Sequence, residues 1–228
     1  MSRFVVSLAL LAGLVLACPT HPVRAQAYQP LSLDFRLNHV AVIGDSYTTG
    51  TDLGGLGRKS WTARAWRTLG QRGVRIAADV AAEGKAGYGA PGDHGSVFED
   101  LTARAVKPSD VLVVFFGSRN DQGVDLRLLA EKLRGTFDMA RRFAPTARFL
   151  VIGPPWPTAG VPVPVLQIRD VLFGAARDAG AAWVDPIFER WFVDVPGLIG
   201  SDGVHPNDAG HQYLADKIAP LIGMQLRR

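Results

Sequence analysis

Five apolar runs punctuate the chain, each followed by a polar turn and, after the first four, by a stretch of helical period. They lie at about 39–43, 74–82, 111–116, 148–152 and 181–184. The first holds Val40-Ala41-Val42-Ile43 and the third is Val111-Leu112-Val113-Val114-Phe115-Phe116. Neither alternates with polar residues, the pattern of parallel strands covered on both faces. Between the runs, Trp61, Ala65, Trp66 and Leu69 recur at helical spacing over 60–72, with Gly70 and Gly73 as stop signals. Further helices are expected at 97–105, at 126–143 up to Ala144-Pro145, at 166–179 up to Gly180, and at 207–222. Residues 188–192 suit a single helical turn. The stretch 153–164 holds five prolines and Trp156 and reads as neither helix nor strand. Strands alternating with helices predict an α/β fold, a central parallel sheet of about five strands with helices on both faces.

Composition narrows the picture little. Hydrophobic residues make up 47% and charged residues 20% of 228, enough for a sizeable core and against global disorder. The formal charge is +4, and setting aside Arg3 and Arg24 leaves 23 basic against 21 acidic residues. Such a balance does not describe a nucleic-acid surface. The N-terminus reads as an export segment over 1–25, with Arg3 before the uncharged run Phe4 to Ala17. Two cleavage readings stand. Val23-Arg24-Ala25 suits a signal peptidase, and Val15-Leu16-Ala17-Cys18 resembles a lipobox that would lipidate Cys18. An irregular lead-in at 26–37 and a single domain at 38–228 complete the expected layout, of an exported, secreted or envelope-associated monomer. Cys18 is the sole cysteine, so the domain offers no disulfide, thiol nucleophile or cysteine metal site.

Chemistry enters at the ends of the strands. Gly44-Asp45-Ser46-Tyr47-Thr48-Thr49-Gly50 follows the first run. A serine just past a strand of an open α/β sheet stands where ligands bind, although Asp45 and Ser46 also suit a turn that only bonds its own backbone. Asp202 and His205 stand three apart before the last helix. At that spacing a carboxylate can fix the imidazole tautomer and leave the other ring nitrogen to take a serine proton; the same pair could also merely cap the helix. Asn120, after the third run, offers an amide to a developing oxyanion, and Gly84, after the second, offers a backbone N–H. All of these fall on the carboxyl-end rim of one sheet.

Gly44-Asp45-Ser46 with Gly50, then Gly84, Gly117-x-x-Asn120-Asp121 and Asp202-x-x-His205, resemble the four blocks of the SGNH hydrolases, or GDSL esterase/lipase superfamily. The likeness runs from about 38 to 222 in the right order. It implies a flavodoxin-like three-layer α/β/α fold and ester hydrolysis with no metal or other cofactor. Ser46 would be the nucleophile, His205 the base and Asp202 its orienting acid. The oxyanion hole would be the Ser46 N–H, the Gly84 N–H and the Asn120 side chain. Two departures stand out. Tyr47 replaces the leucine of the eponymous tetrapeptide, and the second block, Ala82-Glu83-Gly84-Lys85-Ala86-Gly87, leaves Gly87 as an alternative donor.

Rival readings carry less. Gly92-Asp93-His94-Gly95 invites a di-metal phosphoesterase, but that family separates Asp and His by one residue; His94 reads as a surface residue near substrate. His211 reads as solvated or partly packed. Gly44–Gly50 lacks the lysine of a phosphate loop. An inactive binding module would have no chemical need for Ser46, Asn120, Asp202 and His205 together. Acyl transfer to or from a cell-envelope polysaccharide, or its deacetylation, would use the same groups. The substrate is expected to be a small-molecule, lipid or glycan ester, with Tyr88 and Trp156 as candidate pocket walls.

Overall fold

The computed structural model describes residues 37–227, so the export segment, Cys18 and nearly all of the lead-in lie outside the described residues. The strands are β1 (Leu37–Gly44), β2 (Arg75–Ala82), β3 (Leu112–Phe116), β4 (Arg148–Ile152) and β5 (Ala182–Val184). All pair in parallel, in the order β2-β1-β3-β4-β5. The helices are α1 (Ser46–Thr49), α2 (Trp61–Gln71), α3 (Phe98–Ala105), α4 (Leu126–Phe143), α5 (Val163–Asp178) and α6 (Asp208–Leu226). Single 3-10 turns stand at Gly57–Lys59 and Arg119–Asp121.

The apolar runs explain the layers. Along β1, Ala41 and Ile43 join one buried cluster with Phe98, Leu129, Phe137 and Leu172, residues of α3, α4 and α5. Val40 and Val42 point the other way, into a second cluster with Trp61, Leu69, Leu214 and Ile218 of α2 and α6. Successive strand side chains face opposite sides, so a strand between two helix layers must be apolar at every position. With β1 at the turning point of a 2-1-3-4-5 order, the crevice opens between the carboxyl ends of β1 and β3, where ligands bind in doubly wound folds.

Two element boundaries differ from expectation. Helix α5 begins at Val163, three residues early, inside the proline-rich stretch. Pro162 is its N-cap and Pro164 sits in the first turn, where a missing N–H has no helical acceptor to lose. Helix α6 continues four residues past Ile222. Gly223, inside this extension, is buried, and a Cβ there would come within 3.3 Å of Leu69 in α2, so the glycine serves close helix packing. Residues 186–190 form turns held by Asp185, whose Oδ1 accepts from the Ile187 and Phe188 N–H groups.

Candidate active site

Strand β1 ends at Gly44 and Asp45 begins the turn. The Asp45 side chain caps α1, its Oδ1 accepting from the Tyr47 N–H at 2.9 Å. This places Ser46 at the first position of α1, on the rim. Asp45 itself is buried, and burial pushes its carboxyl up to about 7 against the Tyr47 N–H bond and the Arg119 charge. Gly117 closes the wall behind it. Its φ of +136° is a conformation side chains avoid, and a Cβ would stand 2.8 Å from Asp45 Oδ2.

The last loop comes in from the other end of the chain. Asp202 Oδ1 accepts from the Val204 N–H at 2.9 Å and the His205 N–H at 3.0 Å, which folds the loop around the carboxylate. Its other oxygen lies 2.6 Å from His205 Nδ1. Partial burial works to raise the Asp202 pKa, but the bonds from the His205 ring, the two N–H groups and the His205 charge outweigh it and bring the group to about 2. Downstream, Asn207 caps α6 by accepting from the Ala209 and Gly210 N–H groups, and Ile199 bridges to Pro206. His205 Nε2 then stands 3.0 Å from Ser46 Oγ, across 159 residues of sequence. Serine, imidazole and carboxylate thus form one hydrogen-bonded chain through the two ring nitrogens.

The remaining expected residues divide. Gly84 lines the same cleft as Ser46 and His205. Neither its N–H nor that of Ser46 is donated to a protein acceptor among the described residues. The Gly87 N–H is committed to Ala90 O at 2.8 Å, which removes it as the alternative donor. Asn120 is partly buried and lies off the cleft lining. One of its amide hydrogens is held by Ala86 O at 2.9 Å, while its approach to Asp45 Oδ2 is long, 3.4 Å.

Tyr88 is a correction. It is buried in the core, 4.6 Å from the Phe98 ring and packed on Phe115 and Phe137, and walls no substrate pocket. The Asp121 carboxylate holds the Tyr88 N–H at 3.0 Å, and the aromatic cluster takes the ring beneath the sheet. Trp156 is half-buried, lies off the Ser46 cleft and stacks under Arg119, 4.1 Å from guanidinium carbon to ring centre. His94 lines the cleft, as expected; neighbouring Asp93 is in an ion pair with Lys85 at 2.7 Å. His211 differs from expectation. It is fully buried, its Nδ1 accepts from the Trp61 N–H at 3.3 Å, and burial lowers its pKa to about 4.

The cleft has a volume of about 430 Å³. Among its walls are residues to which motif reading gave no role: Thr49, Thr51, Glu83, Lys85 and Arg104. Glu83 is buried and acts as scaffold, Oε1 accepting from the His94 N–H at 2.6 Å and the Ser96 N–H at 3.2 Å. These bonds hold its carboxyl below the usual range, the Ser96 side chain contributing most. No motif marks Glu83; its position directly before Gly84 is the one signal in the sequence.

A parallel 2-1-3-4-5 sheet between two helix layers, with a serine beside an imidazole at its switch point, defines the class as a serine-type carboxylic ester hydrolase of SGNH architecture. The chain belongs to the GDSL-like lipase/acylhydrolase family, whose model matches residues 42–213. It is 70% identical over 226 residues to GDSL lipase Rv0518 of Mycobacterium tuberculosis (strain ATCC 25618 / H37Rv), covering 98% of this chain and 96% of that protein. The fold matches the crystal structure of TesA with a TM-score of 0.65 at 22% identity, over 82% of this chain and 99% of TesA. The psychrotrophic esterase EstA from Pseudoalteromonas, solved as a complex inhibited by monoethylphosphonate, matches with a TM-score of 0.66 at 14% identity, over 84% and 100%.

Proposed function

We propose that Ser46 is the nucleophile of this ester hydrolase, His205 its general base and Asp202 the group that orients the imidazole. The observation that carries the reading is the line Ser46 Oγ to His205 Nε2 at 3.0 Å and His205 Nδ1 to Asp202 Oδ2 at 2.6 Å. Bonding to Asp202 keeps a proton on Nδ1 and leaves the Nε2 lone pair facing Oγ. As Oγ attacks the ester carbonyl, its proton passes to Nε2, and the alcohol leaves with that proton. Water then attacks the acyl-enzyme, delivers a proton to Nε2, and the acid departs with Ser46 restored. Negative charge on the tetrahedral oxygen is taken up by the Ser46 and Gly84 N–H groups, both without protein acceptors, and by the second Asn120 amide hydrogen once it leaves its long 3.4 Å contact with Asp45 Oδ2.

The cleft around Ser46 mixes charged and hydroxyl side chains with apolar surface, the apolar share being the larger. Thr49, Thr51, Glu83, Lys85, Asp93 and His94 present polar atoms or backbone around Ser46, and Tyr88, the expected apolar wall, lies in the core. Lys85, Asp93 and His94 can hydrogen-bond the hydroxyls of a polar alcohol such as a sugar, which favours a short acyl ester of that kind and keeps glycan deacetylation and acyl transfer within the same site. The export reading of Arg3 to Cys18 would place the enzyme outside the cytoplasm, where such esters of envelope glycans occur.

Labelling with a fluorophosphonate probe and hydrolysis of p-nitrophenyl acetate test the assignment. Wild-type protein should label, and Ser46→Ala should neither label nor retain more than about a thousandth of the turnover, with an unchanged circular dichroism spectrum. Full activity in purified Ser46→Ala overturns it. Rates across p-nitrophenyl esters of rising chain length, beside acetylated sugars, test the substrate class; a preference for long chains would overturn that part.

A further inference from the structure

The loop that carries His205 and the turn that carries Ser46 come from opposite ends of the chain. Among the described residues two hydrogen bonds join 44–50 to 197–206. One is the Ser46–His205 contact itself. The other runs from the Tyr47 hydroxyl, which donates to Val204 O at 2.5 Å. Tyr47 follows Ser46 and Val204 precedes His205, so this bond clamps the two reacting residues from their immediate neighbours. Most other backbone bonds of the loop are internal to it, such as Gly200 N–H to His205 O at 2.7 Å and Gly203 N–H to Gly200 O at 3.1 Å. They shape the loop but do not tie it to Ser46.

The phenol is built to hold still. Its ring is fully buried and meets Phe116 and Phe192 edge-on, with centroids 6.2 and 6.1 Å apart. Next to it, Thr48 Oγ1 accepts from Trp61 Nε1 at 3.3 Å, which fixes α1 against α2. Burial raises the phenol well above its ordinary pKa, so it stays protonated and a donor. His205, by contrast, is a partly exposed side chain on a loop exposed at 201–203. Without the clamp, the loop can drift by the fraction of an ångström that separates a productive Oγ–Nε2 contact from a long one.

We propose that Tyr47 is a positioning residue for catalysis, its hydroxyl setting the register of the His205 loop against Ser46. The proposal rests on Ser46 and His205 acting as nucleophile and base. It gives the tyrosine that stands in place of the leucine of the tetrapeptide a mechanical role that leucine, with no hydroxyl, could not fill.

Tyr47→Phe removes one oxygen and keeps the ring packing. Turnover should be measured per active site, titrated with a fluorophosphonate, so that any loss of folded protein drops out. Expected is a fall in kcat of about tenfold, the weight of one lost part-buried hydrogen bond, with KM within twofold of wild type and slower fluorophosphonate labelling. Tyr47→Leu, which also removes the ring, should fall at least as far per titrated site. An unchanged kcat per site in Tyr47→Phe, or a loss carried in KM alone, would overturn the proposal. Failure of the wild-type protein to label would instead overturn the assignment of Ser46, so the two outcomes are separable.

Discussion

Asp121 joins the loop after β3 to the loop after β2, and replacing it with asparagine is the sharpest test of how the site is held. Its carboxyl group is buried and accepts four hydrogen bonds. Oδ1 takes the N–H groups of Gly89 at 2.8 Å and Ala90 at 2.9 Å. Oδ2 takes the Tyr88 N–H at 3.0 Å and the Ser118 hydroxyl. An amide in the same place has one acceptor oxygen. Facing it toward Gly89 and Ala90 keeps two bonds and lets the Ser118 hydroxyl turn to accept from the new NH₂. The Tyr88 N–H then has no partner, and the NH₂ crowds it. A buried orphaned donor costs about 1–3 kcal/mol, and two bonds exchanging a charged acceptor for a neutral one lose about 1 kcal/mol each. The sum is about 4 kcal/mol, or a fall in Tm of about 8–16 °C for a domain of this size. Activity should fall as well, because the loop from Ala86 to Ala90 carries the Ala86 carbonyl that holds Asn120. Thermal unfolding followed by circular dichroism, with p-nitrophenyl acetate turnover below the transition, checks both. A Tm within 2 °C of wild type would show that the carboxylate is not the hub the geometry makes it.

Three further substitutions probe neighbouring features. A Cβ on Gly84 would stand 2.5 Å from Asp93 Oδ2, the end of an exposed side chain that can swing aside and give up only its surface pair with Lys85; a Cβ on Gly87 would stand 2.4 Å from the buried Asp121 Oδ1. Gly84→Ala should therefore melt close to wild type and Gly87→Ala several degrees lower, and equal melting temperatures would contradict this. Asp45 has a folded pKa of about 7 against an ordinary 3.8, so the folded state holds its proton more tightly between those values; this stabilisation is complete below about pH 4 and is lost as pH rises through 7. Urea unfolding should show wild type losing a few kcal/mol relative to Asp45→Asn between pH 5 and pH 8; a constant gap would place Asp45 in a better solvated setting.

By itself the sequence determined the strands and the places where chemistry could stand. A strand roofed and floored by helices must be apolar throughout, so Val40–Ile43 and Leu112–Phe116 declare themselves, and the residues after them are bound to reach the carboxyl-end rim. Gly84, Asn120 and the Asp202/His205 pair were legible for the same reason, as polar or glycine positions directly after strands or before the last helix. The tertiary structure decided what depends on which segments meet. Strand order is set by crossovers that leave no trace in local pattern, and the 3.0 Å contact between Ser46 and His205 joins residues 159 apart. Tyr88 shows why the pocket walls were not legible: in an irregular loop no period says which way a ring points, and the core claimed it through Phe98, Phe115 and Phe137. Glu83 and Tyr47 make the same point from the polar side. Their roles lie in bonds to His94, Ser96 and Val204, partners that only the folded chain brings within reach.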